Sequence, residues 1–522
     1  MNAEERCMNA EKRFLNAEKR FLNNNIVLVN FYNEKAVGVR HIETALIQAG
    51  YNVTVIFFKN LNFSSPQFAT TIELRLLVNL IKEKNPLAVG FSVMASLYIE
   101  TVIAANNAIK EEFDAPIIWG GMYPTMFAES CLDHADFIIR GEGEETFIEL
   151  ADALNNESDF HEISNLAYRR EVGGVVEVVQ NDIRNLLIDL DKFGWPKLDL
   201  GNKYKIDNDT VKKIDPVVGS MSYEISCSRG CPYACSYCCS ATWKKIHIGK
   251  GRSVRFRDID KVIEELIHAK SMMKNLKFVR FYDEIFPDDE DWIDIFIEKY
   301  TKHINMPFEI WGHPLRTDAK IFAKLSNAGL YKAVVGIQSG SPYIRRKIFN
   351  RVETQEDIIN ASQAMTDAKV PEIVYDLMVR HHFETHDTLR ETLTLCLDLK
   401  GSFELQIHGL NFLPGTSIVQ KALDMDLVTP SEMERFMYAP IKEQYEMYWR
   451  NENCDDTMNY IYKLIYMSQL SFYKKKVRRL SDPNIPEDHV KVNRMYNRAQ
   501  KFVYIRHIYK KLIMLGKGFL RT

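Results

Sequence analysis

Apolar runs of strand length alternate with helical patterns along most of this chain, and this alternation limits the fold more than any other feature. The first set predicts strands at residues 26–29, 53–58, 88–92, 116–119 and 137–139, and helices at 42–49, 71–84 and 98–113. Strands that alternate with helices form parallel sheets whose ligands bind at the carboxyl ends of the strands. The pattern predicts an α/β fold that begins with a doubly wound, Rossmann-like domain.

A second set of alternating patterns follows residue 258. It predicts strands at 278–281, 308–311, 333–338, 373–375 and 405–410, and helices at 258–273 and 319–328. About six such units make an incomplete version of the eight-unit TIM barrel, in which function lies at the carboxyl ends of the strands. Polar residues that a core strand does not need fall at or near those ends: Asp283, Glu284, His313, Gln338, Ser339, Asp376 and His408.

The segment between the two sets, residues 227–239, contains five of the nine cysteines. Three of them, Cys231, Cys235 and Cys238, form a C-x3-C-x2-C triplet with Tyr237 directly before the last. A [4Fe-4S] cluster held by three thiolates keeps one iron open for a small molecule. A structural zinc site normally needs four ligands, and no second cysteine pair follows downstream.

Two further cysteines flank the triplet. Cys227 could supply a fourth thiolate, which would give an electron-transfer cluster without an open iron. Cys239 is interpreted as a bystander, because adjacent side chains do not easily reach the same face of a cluster. The crowding of cysteines in one segment is unlike a disulfide framework and favours a metal site in a reducing cytoplasm.

Composition limits the function classes. A length of 522 residues predicts more than one domain, because single cores stop growing at about 250 to 300 residues. The net charge of −3 gives no sign of a nucleic-acid partner, which usually shows as a strongly basic domain. No run of 18 apolar residues and no signal peptide is found, so we expect a cytoplasmic protein without a transmembrane segment.

The triplet with its aromatic residue, GCPYACSYC, resembles the signature of the radical S-adenosylmethionine (SAM) enzymes. In that family the open iron chelates SAM, and an electron from the reduced cluster cleaves its carbon–sulfur bond. The resemblance therefore implies an external electron donor of the flavodoxin or ferredoxin type. It also implies SAM contacts at Tyr237, Asp283, Glu284, Gln338, Ser339, Asp376 and Arg351. Arg351 is expected on the helix that follows the strand ending at Gln338. The structural alternatives are helix capping for Ser339 and an ordinary ion pair for Arg351.

The first domain resembles the cobalamin-binding domains that are fused to radical SAM enzymes. The segments GGMYPT and GEGEE match, and small residues after the strands let a bulky planar ligand approach the backbone. The implied cobalamin contacts are Gly38, Ser92, Gly120, Gly121 and Gly141. A flavodoxin-like sheet without a corrinoid is the alternative.

The first domain departs from the methionine synthase type at the histidine that binds cobalt from below. The matching segment reads NEKAVG and contains no histidine. His41 follows Gly38 by three residues and is interpreted as an ordinary helix residue. Cobalamin is therefore expected to bind without a histidine ligand.

Together the resemblances imply a cobalamin-dependent radical SAM enzyme with a [4Fe-4S] cluster, SAM and cobalamin as cofactors. The implied reaction is methylation of an unactivated carbon through a 5'-deoxyadenosyl radical and methylcobalamin. A cyclase or rearrangement enzyme without methyl transfer and a corrinoid or electron-transfer carrier remain as alternatives. The substrate, a small molecule, a lipid or a peptide, is left open. His313 and His408 are candidates for proton transfer, with a structural role as the alternative.

The expected domains are a charged repeat tail (1–24), the cobalamin-binding domain (25–155), a linker (156–218), the barrel (219–430) and a helical region (431–522). Within the linker, Gly173 and Gly174 predict the turn of a hairpin. The helical region is aromatic and becomes basic near its end. We predict that it covers the open barrel as a lid. Peripheral contact between its last helix and an anionic membrane is the alternative.

Overall fold

The computed structural model describes residues 23–62, 66–199, 201–449 and 454–520. Nearly all of the predicted repeat tail therefore lies outside the described residues. The first sheet has nine strands in the order β7-β6-β5-β4-β3-β1-β2-β8-β9. These are β1 (Asn25–Phe31), β2 (Asn52–Phe58), β3 (Ala88–Ser92), β4 (Ile117–Gly120), β5 (Phe137–Ile139), β6 (Leu166–Val172), β7 (Val175–Gln180), β8 (Lys203–Asp207) and β9 (Thr210–Lys213). Its helices are α1 (Val37–Gln48), α2 (Thr71–Lys84), α3 (Ile99–Glu112), α4 (Met122–Met126), α5 (Ala128–Cys131) and α6 (Glu144–Asn156).

The first sheet is doubly wound, as predicted. β1 pairs in parallel with both β2 and β3, so the winding reverses between β1 and β3. Val27 and Val29 of β1 enter one buried apolar cluster, and Ile26 and Leu28 enter the cluster on the opposite face. A strand covered on both faces is apolar throughout, which explains its sequence pattern. Ligands of such sheets bind at the point of reversal, beside Ser92.

The segment predicted as a linker mainly completes the first sheet. β6 and β7 form an antiparallel hairpin along one edge, and the turn at Gly173 and Gly174 occurs where the sequence indicated it. β8 pairs in parallel with β2 at the other edge and is followed by antiparallel β9. These strands are short and partly polar, so composition alone did not show which sheet they join.

The second sheet has six parallel strands in the order β10-β13-β14-β15-β16-β17, which confirms the incomplete barrel. These are β10 (Ser222–Ile225), β13 (Phe278–Phe281), β14 (Phe308–Gly312), β15 (Leu330–Gln338), β16 (Glu372–Met378) and β17 (Glu404–His408). A separate hairpin pairs β11 (Ser228–Arg229) with β12 (Arg255–Phe256). The helices are α7 (Cys239–Ile246), α8 (Ile259–Met272), α9 (Glu290–His303), α10 (Ala319–Ala328), α11 (Gln355–Asp367) and α12 (His386–Asp398).

Two predicted positions in the barrel were wrong. Asp376 lies inside β16, which continues to Met378, because the apolar run resumes after this single polar residue. Arg351 does not lie on a helix. It lies in the connection between a π-helical turn, Ile344–Ile348, and α11.

The remaining helices are α13 (Ser417–Asp424), α14 (Pro430–Tyr438), α15 (Ile441–Trp449), α16 (Asp456–Ser468), α17 (Ser471–Leu480) and α18 (His489–Leu520). α15 approaches the barrel mouth, since a Cβ on Gly409, just after β17, would lie 2.1 Å from the carbonyl oxygen of Tyr448. α14 and α15 also contact the first domain at its 3-10 turn, Ser96–Tyr98. These two helices therefore occupy the predicted lid position.

The last helix lies elsewhere, which corrects the lid prediction for it. Glu404, the first residue of β17, pairs with Arg506 at 3.3 Å and Lys510 at 3.0 Å. Tyr331, near the start of β15, donates a hydrogen bond to the carbonyl oxygen of Lys510. α18 thus lies at the amino ends of the barrel strands, opposite the mouth. Among the described residues, no helix is long and apolar enough to cross a membrane.

Candidate active site

A cavity of about 660 Å³ lies between the carboxyl ends of the first sheet and the cysteine segment. All five small residues that the cobalamin resemblance singled out line it: Gly38, Ser92, Gly120, Gly121 and Gly141. They come from α1, from the ends of β3 and β4 and from the loop after β5. The fold thus gathers residues that are up to 103 positions apart in the sequence.

The opposite wall of the cavity comes from the barrel domain. Cys231, Asp283 and Glu284 line it, together with Tyr282 and Trp311 at the ends of β13 and β14. The first cysteine of the triplet and the predicted acidic pair therefore share a cavity with the predicted cobalamin residues. The other predicted SAM contacts and the two histidines are not among its lining residues.

Gly121 shows why this wall needs glycine. Its φ of +110° lies in the region that residues with a side chain rarely adopt, and a Cβ would lie 2.8 Å from the carbonyl oxygen of Val93. The backbone of the loop is thereby exposed to the cavity without an intervening side chain. A large planar ligand fits such a surface.

Tyr237 and Arg351 connect the cysteine triplet to the barrel. Arg351 donates hydrogen bonds to the Tyr237 hydroxyl at 3.0 Å and to the carbonyl oxygen of Gly336 at 2.7 Å, and its Nε pairs with Glu353. Both ion-pair side chains are buried. The described contacts of Arg351 are therefore those of a positioning residue, and its predicted contact with SAM remains a prediction.

His313 has a similar structural environment. Its ring stacks on Tyr233 of the cysteine segment, with centroids 3.9 Å apart, and its Nε2 lies 3.5 Å from Glu353. Burial lowers the pKa of His313 below its usual value, against the opposing influence of Glu353. These contacts brace the cysteine segment, while the proposed proton transfer by His313 stays untested.

Asp283 supports the start of the cysteine segment. One carboxylate oxygen accepts hydrogen bonds from the backbone N–H of Ser228 at 2.7 Å and from its hydroxyl at 2.5 Å. The other oxygen, Oδ2, is buried and has no hydrogen-bond partner within the described ranges. Burial raises the pKa of Asp283 to about 7. An unpaired carboxylate oxygen at the cavity wall fits a cationic ligand group such as the SAM ammonium.

Gln338 and Ser339 lie at the end of β15. Gln338 has a positive φ of +67°, which turns the chain sharply after the strand. The buried Ser339 hydroxyl accepts a hydrogen bond from the backbone N–H of Ser341 at 3.1 Å and lies 3.3 Å from the Thr392 hydroxyl. For Ser339 the structural alternative accounts for its described contacts.

Asp376 and His408 form a pair on adjacent strands. The Asp376 carboxylate lies 3.7 Å from His408 Nε2. The strand partner of His408 is Met378, so Asp376 is offset from it by two positions along β16. Both side chains are partly exposed. The structure therefore brings two predicted polar residues together near the barrel mouth, where α15 approaches.

An ion-pair network that the sequence analysis missed joins the two domains. Glu142 accepts hydrogen bonds from both terminal nitrogens of Arg255, at 2.9 and 2.8 Å, and Glu144 accepts one from Arg229 at 2.7 Å. Burial opposes ionisation of Glu142, yet the hydrogen bonds from Arg255 and the charge of Arg229 keep its pKa below the usual value. The glutamates belong to the GEGEE segment and Arg229 to the cysteine segment, so the sequence held a signal in its complementary charges.

The flanking cysteines differ in their surroundings. Cys227 is fully buried in the apolar core of the barrel, whereas Cys239 begins α7 and is partly exposed. The three triplet cysteines are free and partly exposed. Within the described ranges, no three His, Cys, Asp or Glu side chains form a site for a single metal ion. The cluster ligands therefore remain a prediction from the motif.

His41 is not the ordinary helix residue that the sequence suggested, because it lines the cavity from α1. Burial and the nearby charges of Arg229 and Arg257 hold its pKa well below the usual value. The imidazole is therefore neutral at physiological pH.

Comparisons with known proteins agree with this geometry. Residues 26–151 match the family model of the B12 binding domain, and residues 225–396 match that of the Radical SAM superfamily. The chain belongs to the cobalamin-binding radical SAM proteins. The predicted set of cobalamin, SAM and [4Fe-4S] cluster is confirmed at the level of these two families.

Relatives of this radical SAM protein include an uncharacterized methyltransferase of Pyrococcus horikoshii, 26% identical over 290 residues that cover 54% of the chain and 58% of the relative. The anaerobic magnesium-protoporphyrin IX monomethyl ester cyclase of Synechocystis is 33% identical over 122 residues, 22% of the chain and 21% of the cyclase. The chain thus spans less than two thirds of the length of these relatives. The radical SAM methyltransferase TsrM of Kitasatospora setae, solved with cobalamin and a [4Fe-4S] cluster, shares the fold, with a TM-score of 0.61, 16% identity, and 77% of this chain and 75% of TsrM covered.

Proposed function

We propose that this radical SAM protein is a methyltransferase that acts on an unactivated carbon. The observation that carries the proposal is the shared cavity, whose lining includes the five predicted cobalamin residues and Cys231 of the triplet. When bound, the cofactors would supply a methyl group on one side and hydrogen abstraction on the other. Holding these groups beside one substrate site provides the proximity that such a transfer needs.

The chain's own residues would bind and orient the cofactors and shield them from water. Cys231, Cys235 and Cys238 would hold the cluster, and the buried contacts of Arg351 with Tyr237 would keep their loop in place. Asp283 Oδ2 would accept a hydrogen bond from the SAM ammonium. The lid helices α14 and α15 would limit entry of water at the mouth.

A cyclase or rearrangement without methyl transfer is the second candidate. It is favoured by the 33% identity of a 122-residue segment with a cyclase. Both candidates would use the same cluster and the same cavity, so the stoichiometry of the products has to separate them.

Anaerobic turnover with methyl-deuterated SAM, cobalamin, a reductant and a metabolite extract tests the proposal. A methyltransferase should form 5'-deoxyadenosine and S-adenosylhomocysteine in about equal amounts, with deuterium in a new product. Formation of 5'-deoxyadenosine without S-adenosylhomocysteine would refute methylation and leave the cyclase candidate.

The cluster assignment has its own control. Replacing Cys231, Cys235 and Cys238 together by alanine should remove the iron, whereas Cys239→Ala, next to the triplet, should retain it. Equal iron content in the two variants would show that the triplet does not hold the cluster.

A further inference from the structure

One side of α18 carries two kinds of exposed residue in a continuous stripe. Alternating spacings of four and three residues place six side chains on the same side of the helix. In order these are Arg494, Arg498, Lys501, Ile505, Ile508 and Leu512. The first three are basic and the last three are apolar, and all six are exposed. Ile505 and Leu512 each have 61% of their surface exposed, so the apolar half of the stripe is open to solvent.

The neighbouring helix α17 extends this surface. Its Phe472 packs edge to face on Phe502 of α18, with ring centroids 5.3 Å apart, yet both rings are more than half exposed. α17 also exposes Lys475, Lys476 and Arg479. We call the stripe together with these five residues the basic–aromatic face.

The charge of this part of the chain is opposite to that of the remainder. Residues 471–522 contain 14 Lys and Arg against three Asp and Glu, although the whole chain has a net charge of −3. Within the described part of the chain, none of the six basic residues of the face pairs with a carboxylate. Arg506 and Lys510, by contrast, face inward to Glu404. The exposed cations are therefore available to an external anion.

We propose that the basic–aromatic face docks on the surface of a membrane that contains anionic lipids. Exposed Lys and Arg attract anionic headgroups. A helix with apolar and aromatic side chains beside them buries these side chains at the headgroup boundary. Apolar and aromatic residues beside lysines and arginines suit the acyl and headgroup layers of that interface. This interaction is separate from the proposed methyl transfer.

A second copy of the chain fits the stripe less well. If two copies of α18 paired in parallel, the three basic residues would oppose each other. If they paired in antiparallel order, Arg494 to Lys501 would lie against Ile505 to Leu512 and bury cations on apolar surface. Both arrangements are costly, because like or unpaired charges are poorly tolerated in such a seam.

Docking through this face would leave the cavity free. α18 lies at the amino ends of the barrel strands, whereas Cys231 and the cavity lie at the carboxyl ends. The face would therefore hold the protein at a membrane with its active site directed away from the lipid.

Cosedimentation of the full-length holoprotein with vesicles tests this. Wild type should bind vesicles of phosphatidylcholine with about 30% phosphatidylglycerol at least about tenfold more tightly than phosphatidylcholine alone, and a tenfold rise in salt should weaken binding. The double variants Ile505→Ser/Leu512→Ser and Lys475→Glu/Lys476→Glu should each lower binding at least about tenfold. The matched control, Val175→Ser/Ile188→Ser, changes exposed apolar residues elsewhere and should bind as wild type.

Three results with vesicles would overturn the proposal. These are no binding to anionic vesicles, equal binding to both kinds of vesicle, and variants of the face that bind as wild type. Sedimentation velocity without lipid tests the rival occupant, a second copy of the chain. A dimer that Ile505→Ser/Leu512→Ser breaks would assign the face to that second copy and overturn membrane docking. Unchanged cobalamin and cluster absorption in each variant verifies that the cavity, remote from the face, is intact.

Discussion

Replacement of Glu142 by alanine should destabilise the protein and at the same time loosen the cysteine hairpin, the β11–β12 pair that flanks the cysteine segment. Glu142 is the buried acceptor for both terminal nitrogens of Arg255 and also lies 3.3 Å from Arg229. Removal of one partner of a buried ion pair costs about 3–5 kcal/mol, because the other charge stays buried without compensation. A loss of this size is a large part of a typical free energy of unfolding, about 5–15 kcal/mol.

The lower end of that range, about 3 kcal/mol, follows from the remaining contacts. Arg255 would keep a hydrogen bond to the carbonyl oxygen of Leu187 at 2.6 Å, and Arg229 would keep Glu144. Since β12 carries Arg255 and β11 carries Arg229, the hairpin whose two strands flank the cysteine segment would lose one of its ion-pair attachments to the first domain. We therefore expect reduced iron and sulfide per chain after anaerobic reconstitution.

The matched control is Glu177→Ala. Glu177 also accepts from an arginine, Arg170, but both side chains are about half exposed on the β6–β7 hairpin. Exposed pairs contribute about 0.2–1 kcal/mol. Urea unfolding followed by circular dichroism, with iron analysis of the same samples, compares the two variants. If Glu142→Ala loses no more stability or iron than Glu177→Ala, the network does not hold the hairpin.

The pH dependence gives an independent check of the Glu142 prediction. The pKa of Glu142 in the folded protein lies below its usual value. Its stabilisation is therefore present above the unfolded pKa, about 4.3, and is lost as the pH falls through the lower folded value. The difference in stability between wild type and Glu142→Ala should shrink in acid, and an unchanged difference would contradict the ion-pair explanation.

Three further changes test other parts of the site. Gly121→Ala should abolish cobalamin retention, whereas Gly50→Ala, at a similar φ of +97° but in open space, should cost only backbone strain of about 1–3 kcal/mol. Tyr237→Phe removes the acceptor for Arg351 and should lower stability by about 1–3 kcal/mol, with altered cluster absorption. Burial raises the pKa of Asp283 to about 7, so ionisation of Asp283 destabilises the folded wild type as the pH rises from 4 to 7. In urea titrations over that range, the free energy of unfolding of Asp283→Asn should therefore rise relative to that of wild type, by at most about 4 kcal/mol.

Much of the fold could be predicted because its strands are buried on both faces. The predicted limits of β3, β5 and β13 match the structure, since short, mainly apolar segments with polar neighbours have clear ends. The outer strands β6 to β9, two at each side of the first sheet, have mixed composition, and their pairing depends on which edge the chain reaches. The last helix was assigned to the wrong end of the barrel because its anchors, Glu404 and Tyr331, are ordinary residues without a motif.

The candidate site could be predicted where small residues or cysteines mark it, and less well where side chains act on each other. The predicted serine and glycines all line the cavity, because Gly38 lies at the start of α1 and the others lie at or just after strand ends. Arg351 and Ser339 were assigned to SAM, but their described partners are protein groups. A polar residue at a strand end has the same appearance in the sequence whether it binds a ligand or braces a loop.

The GEGEE segment shows how one short loop can serve both domains. Gly141 lines the cavity, and a Cβ there would lie 2.9 Å from His247 Nε2, so the barrel domain packs directly on this residue. Glu142 and Glu144 follow immediately and hold Arg255 and Arg229 of the cysteine hairpin. A displacement of this loop would therefore move the start of the cysteine segment with it, because buried ion pairs tolerate little change in geometry. The wall of the predicted cobalamin site and the support of the predicted cluster loop are thus connected through this one segment, at the contact between the two domains.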